Sequence, residues 1–224
     1  MDIFKTIGRV LTLKITREEM LQFDWRHFLA GLAGTWLAGM GRYLDDPDAS
    51  FLQHAGLGSV IYIFLLSFFI WLIVLPMRVE KWNYFTVLTY ISLTSFPALL
   101  YAIPVERYFS IGTANSINVW FLGIIATWRL VLLYYFLLKF TRLDKRAIYV
   151  IALMPICLII STLYFLNLHR VVFAIMGGVS EPNEHTSSYL VLMFLTYISV
   201  LMILPLIGLY IKDVVEINRA RKKK

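Results

Sequence analysis

The sequence predicts an all-α fold, a polytopic transmembrane helix bundle, and three observations support this class. The 224 residues are 59% hydrophobic and only 16% charged, and the mean hydropathy of +0.72 is far above that of a soluble domain. Apolar windows of membrane-spanning length recur along the chain. Basic residues cluster in alternate connections between those windows.

Six apolar windows are long enough to be considered as spans, given that a bilayer core takes about 20 helical residues. They lie at 27–43, 57–76, 84–104, 117–138, 147–167 and 189–211. The first window is the shortest and is rich in glycine. We therefore expect six spans, with five as the alternative.

The basic residues indicate how the predicted spans are oriented. Of the 21 Lys and Arg residues, 17 fall in the termini and in the alternate loops that share one side of the membrane, and cytoplasmic segments collect such residues. The opposite side holds Arg42, Arg107 and Arg170 among six acidic residues. We expect a multi-pass protein of a bacterial inner membrane with both termini cytoplasmic. Contact with anionic lipid headgroups then explains the net charge of +7, and no nucleic-acid partner is expected.

The chain divides into three predicted parts. These are an amphipathic cytoplasmic-face segment at 1–24, a single transmembrane bundle domain at 25–211 and a basic cytoplasmic tail at 212–224. In the first part, apolar residues recur at three- and four-residue spacing, which places them on one helical face. They are Ile3, Phe4, Ile7, Val10, Leu11 and Ile15. This pattern is typical of an interfacial helix on the cytoplasmic leaflet.

Small residues line two adjacent faces of the first predicted span. One face carries Ala30, Gly34 and Ala38, and the other carries Gly31, Thr35 and Gly39. Such faces let helix backbones approach closely in lipid, where no hydrophobic driving force brings helices together. They predict a packing surface, either within the chain or in a homo-oligomer.

Arg129 is the residue that most needs an explanation, because it lies near the middle of the fourth window and no acidic residue shares that window. A guanidinium at the membrane centre costs about 2.5–3.5 kcal/mol on insertion scales, so it normally faces a partner, a cavity or a ligand. Glu106 lies roughly 16 Å nearer the outer surface than Ser95, too far to pair with the guanidinium directly. A bound anion would neutralise the charge.

The third window places hydroxyl groups at the same predicted depth as Arg129. Pro97 removes a backbone donor and is expected to free the carbonyl oxygen of Leu93 inside the helix. Hydroxyl groups beside this opening, and an amide three turns along the helix of Arg129, complete the predicted site. Its ligand-binding residues are Arg129, Ser92, Thr94, Ser95 and Asn118.

A second polar group is predicted at the outer surface, where the first and third windows end. It consists of Arg42, Asp45, Asp46, Glu106 and Arg107. Ion pairs between the arginines and the carboxylates explain this group without a ligand. The alternative, a metal site completed by histidine, fits no motif spacing, so neither a metal nor another cofactor is predicted. The single cysteine, Cys157, rules out an internal disulfide.

The chain contains no reaction signature: no nucleophile elbow, no zinc-protease helix motif and no phosphate-binding loop. We therefore favour binding or transport of an anionic or amphipathic small molecule or lipid through a mid-membrane cleft around Arg129. The alternative is a non-catalytic membrane subunit or scaffold of a larger complex, and an intramembrane enzyme ranks third. The expected partners are membrane lipids, including anionic headgroups, together with a second copy of the chain or another membrane protein.

Overall fold

Every secondary-structure element in the described part of the chain is a helix. The computed structural model describes residues 2–41, 55–105, 108–166 and 187–222, and no strand occurs in these ranges. The helices group into two compact units, Met1–Leu143 and Asp144–Lys224. The all-helical class predicted from composition and apolar windows is confirmed.

Two short helices precede the first long one. α1 (Ile3–Leu11) is capped by Asp2, whose carboxylate accepts a hydrogen bond from a backbone N–H in the first turn. α2 (Arg17–Met20) begins with a capping box, in which the side chains of Thr16 and Glu19 each accept the backbone N–H of the other residue. These side chains supply the acceptors that the first turn of a helix lacks.

Polar contacts hold this amino-terminal segment together. Arg9 Nη1 lies 2.8 Å from Glu19 Oε1, which joins α1 to α2. The buried His27 contacts Asp24 through Nδ1 at 2.6 Å and Thr6 through Nε2 at 3.3 Å. The backbone N–H of His27 also lowers the pKa of Asp24, because a hydrogen bond to the carboxylate favours its charged form. The segment is therefore ordered by specific side-chain pairs as well as by apolar burial.

The first unit continues with helices that pack side by side. α3 spans Trp25–Gly41, and α4 spans Leu57–Val74 and passes into a short 3-10 helix at Leu75–Met77. α5 spans Tyr84–Leu93, and α3 packs against both α4 and α5. Large apolar side chains make up most of the exposed surface of α4, as they do on helices that face lipid.

The third predicted span is broken in two. The α-helix ends at Leu93, and a 3-10 helix then spans Phe96–Ala102 with Pro97 in its first turn. Proline is well tolerated in a first turn, because no backbone N–H is needed there. The break that Pro97 predicts in the third window is thus present, but the α-helix ends at Leu93, before the proline.

The first unit ends with α6 (Ile111–Thr141), which carries Arg129. Its 31 residues make a helix about 46 Å long, whereas a bilayer core is about 30 Å thick. Tyr90 of α5 stacks on Phe136 of α6 with ring centroids 4.3 Å apart, and its hydroxyl donates a hydrogen bond to the Leu132 carbonyl. These contacts hold α5 against the carboxyl-terminal half of α6.

The described residues of the second unit form two helices. α7 spans Lys145–Phe165 and α8 spans Ser187–Lys222. The two helices pack along each other, and their shared core contains the buried side chains of Val150, Cys157 and Leu206. The second unit thus has a small apolar core of its own.

Four helices in the described ranges are long and apolar enough to cross a membrane. They are Leu57–Met77, Gly112–Thr141, Lys145–Phe165 and Met193–Ala220. α3 has only 17 residues, and the segment Tyr84–Leu100 is also shorter than a full span. The four helices are consistent with a multi-pass membrane protein, and the predicted count of six goes beyond them.

Glycines on α3 allow its backbone to approach two neighbours closely. A Cβ added at Gly31 would contact Ser92 Oγ and lie 2.9 Å from the backbone nitrogen of Leu93 on α5. A Cβ added at Gly39 would lie 2.9 Å from the carbonyl oxygen of Gly56, the residue before α4. Close backbone approach of this kind is how small residues hold membrane helices together. The small-residue face of the first predicted span is therefore used for packing within the chain.

We expect the substitution Gly31→Ala to destabilise the first unit by about 1–3 kcal/mol, because the added methyl group overpacks the contact with α5. Thermal unfolding in detergent, followed by tryptophan fluorescence, measures this loss. Gly58→Ala is the matched control, because a Cβ at Gly58 meets open space. Equal stability of the two variants would contradict the proposed packing.

Candidate functional site

Arg129 of α6 lies beside Tyr62 of α4. Its guanidinium carbon is 5.6 Å from the centroid of the Tyr62 ring, within the range of a cation–π contact. Nη2 of Arg129 is buried and has no hydrogen-bond partner among the described residues. No ion pair in the same ranges includes Arg129. The ring partly stabilises the charge, but the two N–H donors of Nη2 are left without an acceptor in these ranges.

The helical period of α6 explains why Arg129 points toward neighbouring helices. Residues three, four or seven positions away share its face, and most of them are buried in the unit. Those with the lowest exposure are Ile125, Leu132, Leu133 and Phe136. Arg129 itself is half-buried. The guanidinium thus lies at the edge of a packed surface.

The three predicted hydroxyl groups have different surroundings. Ser92 and Thr94 are buried, and each donates a hydrogen bond to a carbonyl of its own helix, Ser92 to Thr89 at 2.8 Å and Thr94 to Ile91 at 2.7 Å. Ser95 Oγ is buried and has no partner in the described part of the chain. None of the three hydroxyls is hydrogen-bonded to Arg129 in that part. Ser95 therefore differs from the other two hydroxyls in having no hydrogen-bond partner among the described residues.

The other predicted site residues do not join Arg129. Asn118 lies eleven residues away on α6, about 16 Å along the helix axis, so one small polar group cannot contact both side chains. The predicted outer-face cluster lies outside the described residues. It comprises Arg42, Asp45, Asp46, Glu106 and Arg107.

The amino-terminal segment reaches the helix of Arg129, which the sequence did not indicate. Trp128 Nε1 donates a hydrogen bond to the carbonyl of Leu11 at 3.2 Å, and the Tyr135 hydroxyl donates one to the carbonyl of Ile15 at 3.0 Å. The carbonyls of Leu11 and Ile15 lie at or beyond the end of α1, so they accept no hydrogen bond within that helix. Backbone acceptors carry no residue-specific signal, so only the tertiary structure reveals these contacts.

The predicted site did not include Tyr62, although the sequence partly indicates such a residue. It is one of several aromatic residues in the apolar window of α4, and a tyrosine is a preferred partner for a membrane arginine without an acid. The sequence alone does not select it, because the relative rotation of α4 and α6 decides which ring meets the guanidinium.

A cluster of three charged side chains lies in the second unit. Arg146 Nε donates a hydrogen bond to Asp213 Oδ1 at 3.1 Å, and Arg146 Nη2 donates one to Glu216 Oε2 at 3.0 Å. Asp213 is buried, while Arg146 is half exposed. In the sequence, the three-residue spacing of Asp213 and Glu216 places both carboxylates on one helical face, which could have indicated this group. Arg146 is thus paired with two carboxylates, while Oδ2 of the buried Asp213 has no hydrogen-bond partner among the described residues.

No family model, curated protein or solved structure matches this chain. Function is therefore argued from the chemistry of the side chains. A guanidinium binds carboxylate and phosphate oxygens through charge-assisted hydrogen bonds, which are roughly twice as strong as neutral ones. Arg129, with its ring partner and its unpaired Nη2, has the properties of an anion-binding group.

We expect a double-mutant cycle to detect the contact between Arg129 and Tyr62. Arg129→Met and Tyr62→Leu should show a coupling free energy of about 0.5–2 kcal/mol in chemical or thermal unfolding, because each removes one partner of the cation–π pair. Tyr62→Phe keeps the ring and should retain most of the coupling. Additive effects of the two substitutions would contradict the contact.

Proposed function

We propose that the protein binds or transports an anionic, amphipathic small molecule or lipid at Arg129. The observation that carries this proposal is the buried Nη2 of Arg129, which has no acceptor within the described ranges. A buried polar donor without a partner costs about 1–3 kcal/mol, and more when the group is charged. A bound anionic oxygen removes this cost.

The cation–π contact cannot by itself satisfy the guanidinium. Such contacts contribute about 0.5–2 kcal/mol and act on the charge as a whole. The aromatic ring also accepts no conventional hydrogen bond from Nη2. The geometry supports a site that is pre-formed on one side by Tyr62 and completed by an anion on the other.

Access from the lipid phase supports an amphipathic ligand. Tyr62 is 45% exposed, and its neighbours Ile61 and Leu65 are more than half exposed. Trp128, next to Arg129, is 39% exposed. These apolar surfaces of α4 and α6 suit the hydrocarbon chain of a ligand whose anionic head meets the guanidinium.

The topology that we propose has six membrane segments, with α3 and the broken segment at Tyr84–Leu100 added to the four longer helices. The packing of α3 along α4 and α5 supports this, because α4 is itself long and apolar enough to span. The distribution of Lys and Arg supports cytoplasmic termini in a bacterial inner membrane.

The amino-terminal segment fits this topology as an interfacial element. In α1, Val10 is fully buried against the unit while Phe4 is 83% exposed, so one apolar side chain faces protein and another is available to the lipid surface. Its contact with Trp128 would place the Arg129 site toward the cytoplasmic half of the bilayer. An anionic lipid of the inner leaflet could then reach the site.

Binding of oleate to the purified protein in detergent tests this function. Native mass spectrometry should show one oleate on the parent protein and an affinity at least about tenfold lower for Arg129→Gln, because the charge-assisted hydrogen bonds are lost. Arg129→Lys should retain part of the affinity. Arg26→Gln is the matched control, since Arg26 is an exposed arginine of α3 that is distant in sequence from the site.

Equal oleate binding by Arg129→Gln and the parent protein would refute the proposed function. A protein chain that stays bound during gentle extraction, in place of a lipid, would favour the scaffold alternative. Thermal unfolding of each variant separates a loss of binding from a loss of folding.

A further inference from the structure

A cleft, distinct from the Arg129 site, lies where α2 meets the carboxyl-terminal end of α6. Its volume is about 350 Å³, in the range of small-molecule sites. The lining comes from the residues before α2, from α2 itself, from about the last two turns of α6 and from the residue that follows α6. The lining residues are Ile15, Thr16, Arg17, Glu18, Tyr135, Leu138, Lys139 and Arg142.

Positive charge dominates this cleft. It contains the cations Arg17, Lys139 and Arg142 and one carboxylate, Glu18. Glu18 is compensated locally: its own backbone N–H and the Thr16 hydroxyl lower its pKa, because both stabilise the carboxylate. The cleft therefore carries an excess of cations over anions at neutral pH.

Two of the three cations form no close ion pair, although the charge of Arg142 also helps to lower the pKa of Glu18. Lys139 Nζ lies 5.7 Å from the centroid of the Tyr135 ring, and neither Lys139 nor Arg142 forms an ion pair in the described ranges. Arg17 has a structural role, since it lies over Phe140 and donates a hydrogen bond to the carbonyl of Glu80. Even so, Arg17 Nε is buried without an acceptor in this part of the chain.

An apolar path leads from the cleft along α6. Val131, Tyr135, Leu138 and Arg142 recur at spacings of four, three and four residues, so they share one helical face. Val131 is 43% exposed, and Leu138 is partly exposed. The cations lie at the end of the candidate span Gly112–Thr141. Cations thus follow an apolar stripe at a helix end, as they do where lipid headgroups meet a membrane protein.

We propose that this cleft binds a phosphate group, and that the group belongs to the headgroup of an anionic phospholipid. Lys139 and Arg142 contact the phosphate oxygens, and the acyl chains lie along the apolar face of α6. Inorganic phosphate offers the same oxygens, but it has no acyl chain that could contact the apolar face of α6. The site is separate from Arg129, which lies ten residues from Lys139, about 15 Å along the helix.

The test compares two double variants that each remove two positive charges. Lys139→Gln with Arg142→Gln changes the cleft, whereas Lys5→Gln with Lys81→Gln removes charges from exposed positions outside it. Native mass spectrometry of the full chain in detergent measures the binding of phosphatidylglycerol and of phosphatidylcholine. Inorganic phosphate at millimolar concentration is added as a competitor in a parallel series.

We expect the parent protein to prefer phosphatidylglycerol and the cleft variant to bind it about tenfold more weakly or worse, because each cation near the surface contributes to attraction of an anionic lipid. The exposed-charge variant should bind as the parent does. Inorganic phosphate should not displace the lipid.

Equal weakening in both double variants would overturn the proposal, because it would show general attraction to the membrane surface. Displacement of the lipid by inorganic phosphate would refute the proposal that the phosphate belongs to a lipid, and it would assign the cleft to a soluble phosphate. Arg129 is intact in every variant, so either result leaves the oleate test of the proposed function unaffected. A circular dichroism melt confirms that the cleft variant is folded.

Discussion

The close approach of α3 to its neighbours is the constraint on which the first unit depends. Gly31 allows contact with the end of α5, and Gly39 allows contact with the residue before α4. In lipid, where apolar surface gains little from burial against another helix, close van der Waals packing between small residues supplies much of the association energy. The position of α4, and with it the ring of Tyr62, follows from this packing.

The position of Tyr62 in turn defines the environment of Arg129. A guanidinium over an aromatic face is partly stabilised, yet it keeps donors that require an acceptor. A fully packed structural arginine would be expected to satisfy those donors with carbonyls of neighbouring helices. Nη2 has no partner among the described residues, and this is the basis of the proposal that an anion completes the site.

The amino-terminal segment links the two proposed binding sites. Its carbonyls at Leu11 and Ile15 accept hydrogen bonds from α6, and its next turn forms one wall of the cationic cleft. Because the same segment contacts α6 near Arg129 and lines the cleft, movement of α1 and α2 would affect both sites. The amino-terminal segment therefore takes part in the packing around both proposed sites.

Composition and apolar windows determined the helical class, because burial in lipid requires long apolar helices whatever their neighbours are. They also located Arg129, since an isolated charge in an apolar window is a local feature. The tertiary structure decided the rest: the end of α5 at Leu93, the choice of Tyr62 and the backbone contacts of the amino-terminal segment. These depend on how far apart helices lie and how they are rotated, and residues distant in sequence determine both quantities together.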